Sequence, residues 1–324
     1  MSFSTLGLLA VAAYTAACIA YVYRWRGHRR YASFTQYLRK SWPIFAPLNC
    51  LMYMTTRASA RQPVLDAGYL ENIGLLRANW RVMRDEALAL EAAGAFEAAK
   101  AEGSAGYYDV GFRTFYKRGW SKFYLKWYGT THRSAQRLCP RTVALLAQVP
   151  QIRGAMFSIL PAGSELSLHA DPMACSFRYH LGLRTPNDPA CHIQVDDVDC
   201  VWIDGQDFIF DETYPHSARN ASDRPRLILM CDVDRPMNAL GRLLHAGYRV
   251  IAKGTLVANT AEDSRGVFSA LFARLGPLRE RSLRLKTERL RIYKTLKFIL
   301  NSTLLTGLMA TIFAMLHLLE AITA

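Results

Sequence analysis

Along the 324-residue chain, hydrophobic and polar positions fall into distinct textures. Leu6 to Tyr23 is almost wholly apolar or small, and nothing before Arg24 carries a charged side chain. Phe298 to Leu319, FILNSTLLTGLMATIFAMLHLL, is again free of Asp, Glu, Lys and Arg. Each run has about the 20 residues a helix needs to cross a hydrocarbon core, so two transmembrane helices are predicted, over 1–23 and 298–319. A cleaved signal peptide would place its basic residues before the apolar run; here they follow it. A third uncharged stretch, Ser41 to Thr56, is short and interrupted by Pro43 and Pro47. It reads as an interfacial or re-entrant segment, with a buried core helix as the alternative.

Residues 80–102 are rich in Ala, Glu and Leu and read as helix. From about Tyr107 the texture changes. KFYLKWYG, GAMFSILPAG, SFRYHLGLRTP, CHIQVDD, CVWIDGQDFIFDE and RPRLILMCDV are short β-branched or aromatic runs separated by Gly, Pro, Asn and Asp. That spacing predicts an all-β sandwich or barrel rather than a parallel α/β sheet. Helical patterns return beyond Met237. The expected organisation is a transmembrane helix (1–23), a basic, membrane-associated and helical segment (24–106), a β core (107–237), a helical and basic juxtamembrane segment (238–297) and a second transmembrane helix (298–319).

Charge sharpens this picture. The formal net charge is +14. Arg24 to Lys40 holds six bases and no acid, and Arg279 to Lys297 holds eight bases against two acids, so the rest of the chain is close to neutral. A nucleic-acid binder spreads base over a domain face with interleaved aromatics, so no nucleic-acid partner is expected. Basic runs on the inner side of both apolar runs predict a cytoplasmic middle segment with both termini outside. The seven cysteines are scattered without a C-x-x-C pair, as expected of reduced, buried thiols in a cytosolic domain.

The stretch His169 to Leu183, HADPMACSFRYHLGL, crowds two histidines, a carboxylate and an arginine between strand-like runs. On a strand, residues two apart face the same way, which pairs His169 with Asp171 and Arg178 with His180. His216 follows in FDETYPHSARN, and Arg226 opens RLILMCDV. Two imidazoles and one carboxylate on one face of an octahedral metal form the facial triad of non-haem Fe(II) oxygenases. Arginine suits the distal carboxylate of a dicarboxylate, because its planar fork matches that group. An H-x-D pair alone is a weak signal; with a second His and an Arg on later strands it is stronger. Asp196, Asp197 and Asp199 read as a solvated acidic turn rather than a Ca²⁺ loop. Asp211 either orients His216 or caps a turn. His192 has no partner in sequence, and nothing near Cys175 would make it a nucleophile.

Ser158 to Pro236 resembles the aspartyl/asparaginyl β-hydroxylase family of Fe(II)/2-oxoglutarate dioxygenases, and within it the lipid A 2-hydroxylase branch. The resemblance rests on Cys139-Pro140, FSILPAGSELSLH, RYHLGL, the Trp202–Gly205 block WIDG, FDETYPHSARN and RPRLIL, in this order. It implies a double-stranded β-helix (jelly roll) core with flanking α-helices. It implies His169 and His216 as iron ligands, and Ser158, Arg178, His180 and Arg226 as contacts to the cosubstrate 2-oxoglutarate, with O₂ as oxidant. Asp171 is assigned as third iron ligand; its alternative is a turn residue before Pro172, since many peptide-hydroxylating members lack a carboxylate there. The expected reaction is hydroxylation at C2 of an acyl chain of lipid A or a related lipid, at the cytoplasmic leaflet of a bacterial inner membrane. A peptide or protein aspartyl/asparaginyl β-hydroxylase and a non-catalytic lipid-binding scaffold are the alternatives.

Overall fold

A computed structural model describes residues 3–107, 109 and 119–323. Its strands are β1 (Val64–Leu65), β2 (Ser121–Trp127), β3 (Thr130–Thr131), β4 (Ile152–Leu160), β5 (Glu165–His169), β6 (Ser176–Arg184), β7 (Cys191–Val195), β8 (Val198–Val201), β9 (Asp207–Phe210), β10 (His216–Asn220) and β11 (Arg226–Asp234). Its α-helices are α1 (Phe3–Arg24), α2 (Phe34–Lys40), α3 (Ala46–Thr55), α4 (Ile73–Ala78), α5 (Trp80–Ala92), α6 (Ala95–Lys100), α7 (Arg133–Leu138), α8 (Pro140–Ala147), α9 (Ala239–Lys253), α10 (Val267–Arg274), α11 (Gly276–Glu288) and α12 (Leu290–Thr323).

The strands form two antiparallel sheets, ordered β1-β9-β6-β11-β4-β2-β3 and β5-β10-β7-β8. From β4 to β11 the chain passes repeatedly from one sheet to the other, which gives the interleaved order of a jelly roll. Strand periodicity then sorts every side chain. On β11, Leu227, Leu229, Cys231 and Val233 pack outward in a core shared with Leu76, Met83, Ala87, Leu90 and Leu146 of α4, α5 and α8. Ile228 and Met230 point the other way, into a second core with Ile193 and Val195 of β7. Both faces of β11 are therefore covered, which is why RLILMCDV is almost continuously apolar instead of alternating. Arg226 and Asp232 share the inward parity of Ile228.

The predicted helix over 80–102 is present in two parts, α5 and α6, broken at Gly94, whose φ of 71° lies in the left-handed region that ends helices. Ser41 to Thr56 forms a short 3₁₀ turn followed by α3, which buries Ala46, Asn49, Cys50, Met52, Tyr53 and Thr55. One side of this segment is thus a core helix, as in the alternative reading; Trp42, Ile44 and Met54 remain exposed.

The basic flank is also more structural than its composition suggests. Arg26 is buried between the rings of Tyr53 and Tyr214, 3.5 and 4.0 Å from their centroids, and pairs with Asp211 at 2.7 Å. The acidic turn is not wholly solvated as expected. Asp196 is buried and accepts the backbone N–H groups of His28 (2.8 Å) and Arg29 (2.7 Å). Its partners lie far away in sequence, so spacing could not reveal them. All seven cysteines are free and buried, as expected.

Tyr23–Phe272, which contains both sheets, forms one compact unit; Met1–Val22 with Ala273–Ala324 forms another, made of helix. Among the described residues one helical stretch, Thr5–Arg24, is long and apolar enough to cross a membrane, where the sequence predicts two. The second predicted span lies within α12, several of whose side chains fall outside the described residues. Residues 108 and 110–118 of the predicted β core also lie outside them.

Candidate active site

The register of the smaller sheet builds the first half of the site. His169 ends β5, His216 begins β10, and the two are direct partners across the antiparallel pair. Directly opposite side chains stand closest in a sheet, and the imidazole centroids are 4.2 Å apart. A register irregularity follows His216 immediately, a feature often found where a strand must aim a side chain. Asp171 lies just past the end of β5, its N–H donating to the Glu212 carbonyl at 2.8 Å. One ligand atom each from His169, Asp171 and His216 lies within 4.8 Å of the others.

The hydrogen bonds fix which atoms face inward. Nδ1 of His169 donates to the Ser167 carbonyl and Nδ1 of His216 to the Tyr214 carbonyl, both at 2.9 Å. That leaves Nε2 of each ring as a lone-pair donor, the arrangement that orients metal-binding histidines. Burial lowers both imidazoles to a pKa of about 4, and for His169 the neighbouring His216 adds to the effect. Both rings are therefore neutral at pH 7, as metal ligation requires. Asp171 Oδ1 lies 3.7 Å from His169 Nε2, while Oδ2 accepts from Arg178 Nη2 at 3.1 Å. Its side chain turns to the site and to Arg178 instead of capping the backbone before Pro172. The donor set, two neutral nitrogens and one carboxylate oxygen, fits a divalent first-row metal.

The second half comes from inward positions of the larger sheet. Ser158 on β4, Arg178 and His180 on β6, and Arg226 on β11 are all sequence-identified residues, and all share the inward parity. Arg226 is buried, its guanidinium 4.4 Å from the Trp202 ring centroid and 5.2 Å from that of Trp120. Its Nε and Nη2 have no hydrogen-bond partner, and burial lowers its pKa to about 9. Nε1 of Trp202 donates to Nδ1 of His180 at 3.2 Å, so the proton of His180 sits on Nε2, which is also buried and unpartnered. Gly182 makes this contact possible. A Cβ there would lie 2.1 Å from the Ile203 carbonyl oxygen, so only glycine lets the chain beyond Trp202 cross β6. Arg226 and His180 thus present unsatisfied donors to the space between the sheets, a receptor suited to a carboxylate.

Arg178 has different company. Its Nε donates to Glu212 at 2.6 Å, its Nη1 lies 3.2 Å from Asp232, and its Nη2 holds Asp171. Burial raises Glu212 to a pKa of about 8, against the pull of Arg178. Glu212, Asp232 and Trp202 were not singled out as site residues from sequence. Glu212 lies inside FDETYPHSARN, and Asp232 shares the parity of Arg226, so position in the motif and on the strand was the available signal. Asp211 caps the turn, as in the alternative reading, accepting the Thr213 N–H at 3.0 Å, and it also pairs with Arg26 and Arg235, the latter at 2.8 Å. His192 points away from the site on β7 and contacts the Pro189 carbonyl.

Residues 77–236 match the family described as aspartyl/asparaginyl beta-hydroxylase. The chain is 35% identical over 128 residues to an ornithine lipid ester-linked acyl 2-hydroxylase of Rhizobium tropici, covering 39% of this chain and 45% of that protein. It is 31% identical over 176 residues to the aspartyl/asparaginyl beta-hydroxylase of Homo sapiens, covering 53% of this chain and 22% of the human one. The chain therefore spans less than half the length of either relative. The crystal structure of a Pseudomonas putida prolyl-4-hydroxylase aligns over 57% of this chain and 99% of its own at 16% identity, with a TM-score of 0.35. Through residues 77–236, the chain belongs to the aspartyl/asparaginyl β-hydroxylase family.

Proposed function

We propose that this protein is a membrane-anchored, Fe(II)/2-oxoglutarate-dependent dioxygenase that hydroxylates C2 of an acyl chain in lipid A or a related membrane lipid. The observation that carries the reading is the pairing of two half-sites. The His169–Asp171–His216 donor set stands on one sheet, and the unsatisfied donors of Arg226 and His180 face it from the other. Bound there, iron, 2-oxoglutarate and O₂ supply oxidation of an unactivated C–H bond, with succinate and CO₂ as coproducts. The residues bind, orient and shield. Nε2 of each histidine and one oxygen of Asp171 hold the metal. Arg226, His180 and Ser158 receive the cosubstrate, and Trp202 keeps His180 in the tautomer that donates toward it. Arg178, bound to Asp171, Glu212 and Asp232, acts first on Asp171 by directing one carboxylate oxygen to the metal.

A lipid substrate is supported by the acyl 2-hydroxylase relative and by the apolar helix at Thr5–Arg24. The similarity to the human enzyme supports peptide β-hydroxylation as the second reading. The test is mass spectrometry of lipid A and total lipids from cells with and without the gene, beside assays of the purified protein on lipid and on peptide. A mass gain of one oxygen on an acyl chain, absent for His216→Ala, is expected. Product on peptide alone would overturn the lipid reading. Succinate release by His169→Ala or His216→Ala at the wild-type rate would overturn the metal assignment. Asp171→Ala separates ligand from turn: loss of iron affinity is expected, and unchanged affinity would leave two histidines as the whole set.

A further inference from the structure

Helix α9 has three separate faces. Gly241, His245 and Ala252 turn into the domain. Arg242, Arg249 and Lys253 form a basic, exposed edge, and the helix contains no acid. Leu240, Leu243, Gly247, Val250 and Ile251 make an apolar stripe spanning about 100° of the helix, and it is the stripe left outside. Leu243 is 69% and Val250 71% exposed. A soluble protein buries such a stripe, and a contiguous exposed one marks an interaction surface.

The neighbouring element shows the same inversion. The C-terminal end of α3 is fastened to the N-terminal end of α9: the Asn238 N–H donates to the Thr55 carbonyl at 2.9 Å, and Thr56 bridges Met237. The segment leading into and along α3 leaves Trp42, Ile44 (66%) and Met54 exposed, and has no charged residue between Lys40 and Arg57. The inner side of α3 touches the site itself. Asn49 donates to the Pro172 carbonyl at 2.9 Å and accepts the Ala174 N–H at 2.8 Å, clamping the loop that follows Asp171.

We propose that the apolar stripe of α9, with Trp42, Ile44 and Met54, is a docking face by which the catalytic unit lies in the interface of an anionic bilayer. Apolar side chains flanked by Arg and Lys without acid are the chemistry of helices that rest in the headgroup region, the basic edge meeting lipid phosphates. Along the chain, the apolar stretch Thr5–Arg24 ends two residues before Arg26, which is buried in this unit. The face sets the height of the site. α3 docks on one side and clamps the loop after Asp171 on the other, so about one helix diameter separates lipid from that loop. The purpose of the docking rests on the lipid-hydroxylase reading.

The test uses the full chain in vesicles of phosphatidylethanolamine and phosphatidylglycerol. Spin labels are placed at Leu243→Cys, Val250→Cys and, as a control on α6, Glu97→Cys; the native cysteines are buried. Labels at 243 and 250 are expected to meet lipid-soluble O₂ and exclude a water-soluble nickel chelate, with the reverse at 97. Nickel access at 243 and 250 equal to that at 97 would overturn the proposal. So would shielding from both reagents, which means that another segment or a second copy covers the stripe. Leu243→Glu with Val250→Glu should lower turnover of bilayer lipid by about tenfold or more, with iron binding retained. Labels in lipid without a lipid product would leave the docking intact and defeat the substrate reading. Lipid product with labels in water would defeat the docking alone.

Discussion

Arg226 is a buried guanidinium set against two indoles, and among the described residues no carboxylate pairs with it. A buried cation without a partner costs stability, which burial registers here as a pKa lowered to about 9. Such a residue is retained where an incoming anion completes it. Arg226→Met keeps most of the packing and removes the charge. Losing one charge-assisted contact to a carboxylate costs roughly 1.5–3 kcal/mol, so half-saturation by 2-oxoglutarate should need about ten- to a hundredfold more. The melting temperature should hold or rise, since an uncompensated charge has gone. An unchanged 2-oxoglutarate titration with a lowered melting temperature would mean that the arginine is structural. This residue was legible in sequence because the RPRLIL block resembles the family's and an arginine suits a carboxylate. The tautomers of His169 and His216 were not, because the Ser167 and Tyr214 carbonyls that set them belong to the backbone. The three-carboxylate company of Arg178 was hidden for a related reason: Glu212 and Asp232 reach it from two other segments of the chain.

Elements packed outside the sheets decide whether these side chains keep their geometry. The segment after Arg24 read as a basic flank, yet Arg26 and Arg235 both end on Asp211, and Asp196 takes the backbone of His28 and Arg29. Counting charge in a sequence cannot separate a solvated arginine from one clasped by tyrosines. Burial alone would raise the Asp211 carboxyl, but Arg235 and Arg26 outweigh it and hold it below the ordinary range. A carboxyl with a depressed folded pKa stabilises fully above its unfolded value and loses that contribution as pH falls through the folded one. Asp211→Asn leaves two buried arginines short of a counter-charge and should cost about 3–5 kcal/mol at pH 7. The deficit should shrink below about pH 4, where the unfolded wild-type chain takes up the proton that folded Asp211 still refuses. Denaturant melts of both proteins across pH check this, and a gap that widens in acid would contradict it. Asn49 tests the other clamp. Removing the partner of a buried polar group costs about 1–3 kcal/mol, and supporting residues around a metal site typically tune affinity by about 10–100-fold. Asn49→Ala should therefore weaken iron binding in wild type while adding little to Asp171→Ala. Equal losses in both backgrounds would show that α3 does not act through the Asp171 loop.

At the scale of the whole molecule, the jelly roll was readable because short apolar runs punctuated by turn residues are what interleaved antiparallel strands require. Its helical cover was less so: α5 carries its apolar stripe plainly, but the inward side of α3 is defined only by what it meets. Membrane topology is written in the charge that borders the apolar runs. Basic residues flank the inner ends of both apolar runs, so the unit with the two sheets should lie in the cytoplasm and both termini outside. Arg26 is withdrawn from the flank into the fold, which leaves Arg24, Arg29 and Arg30 as the bases next to α1 that can act on orientation. The C-terminal side has a stronger determinant, eight bases against two acids before Phe298. A reporter fused after residue 324 therefore distinguishes one anchor from two. Alkaline phosphatase at that position should be active and green fluorescent protein dark, while a fluorescent insertion in the exposed stretch near Asp223 should glow. Fluorescence after residue 324 would mean that α12 stays on the cytoplasmic side, and α1 would then be the single span predicted for this chain.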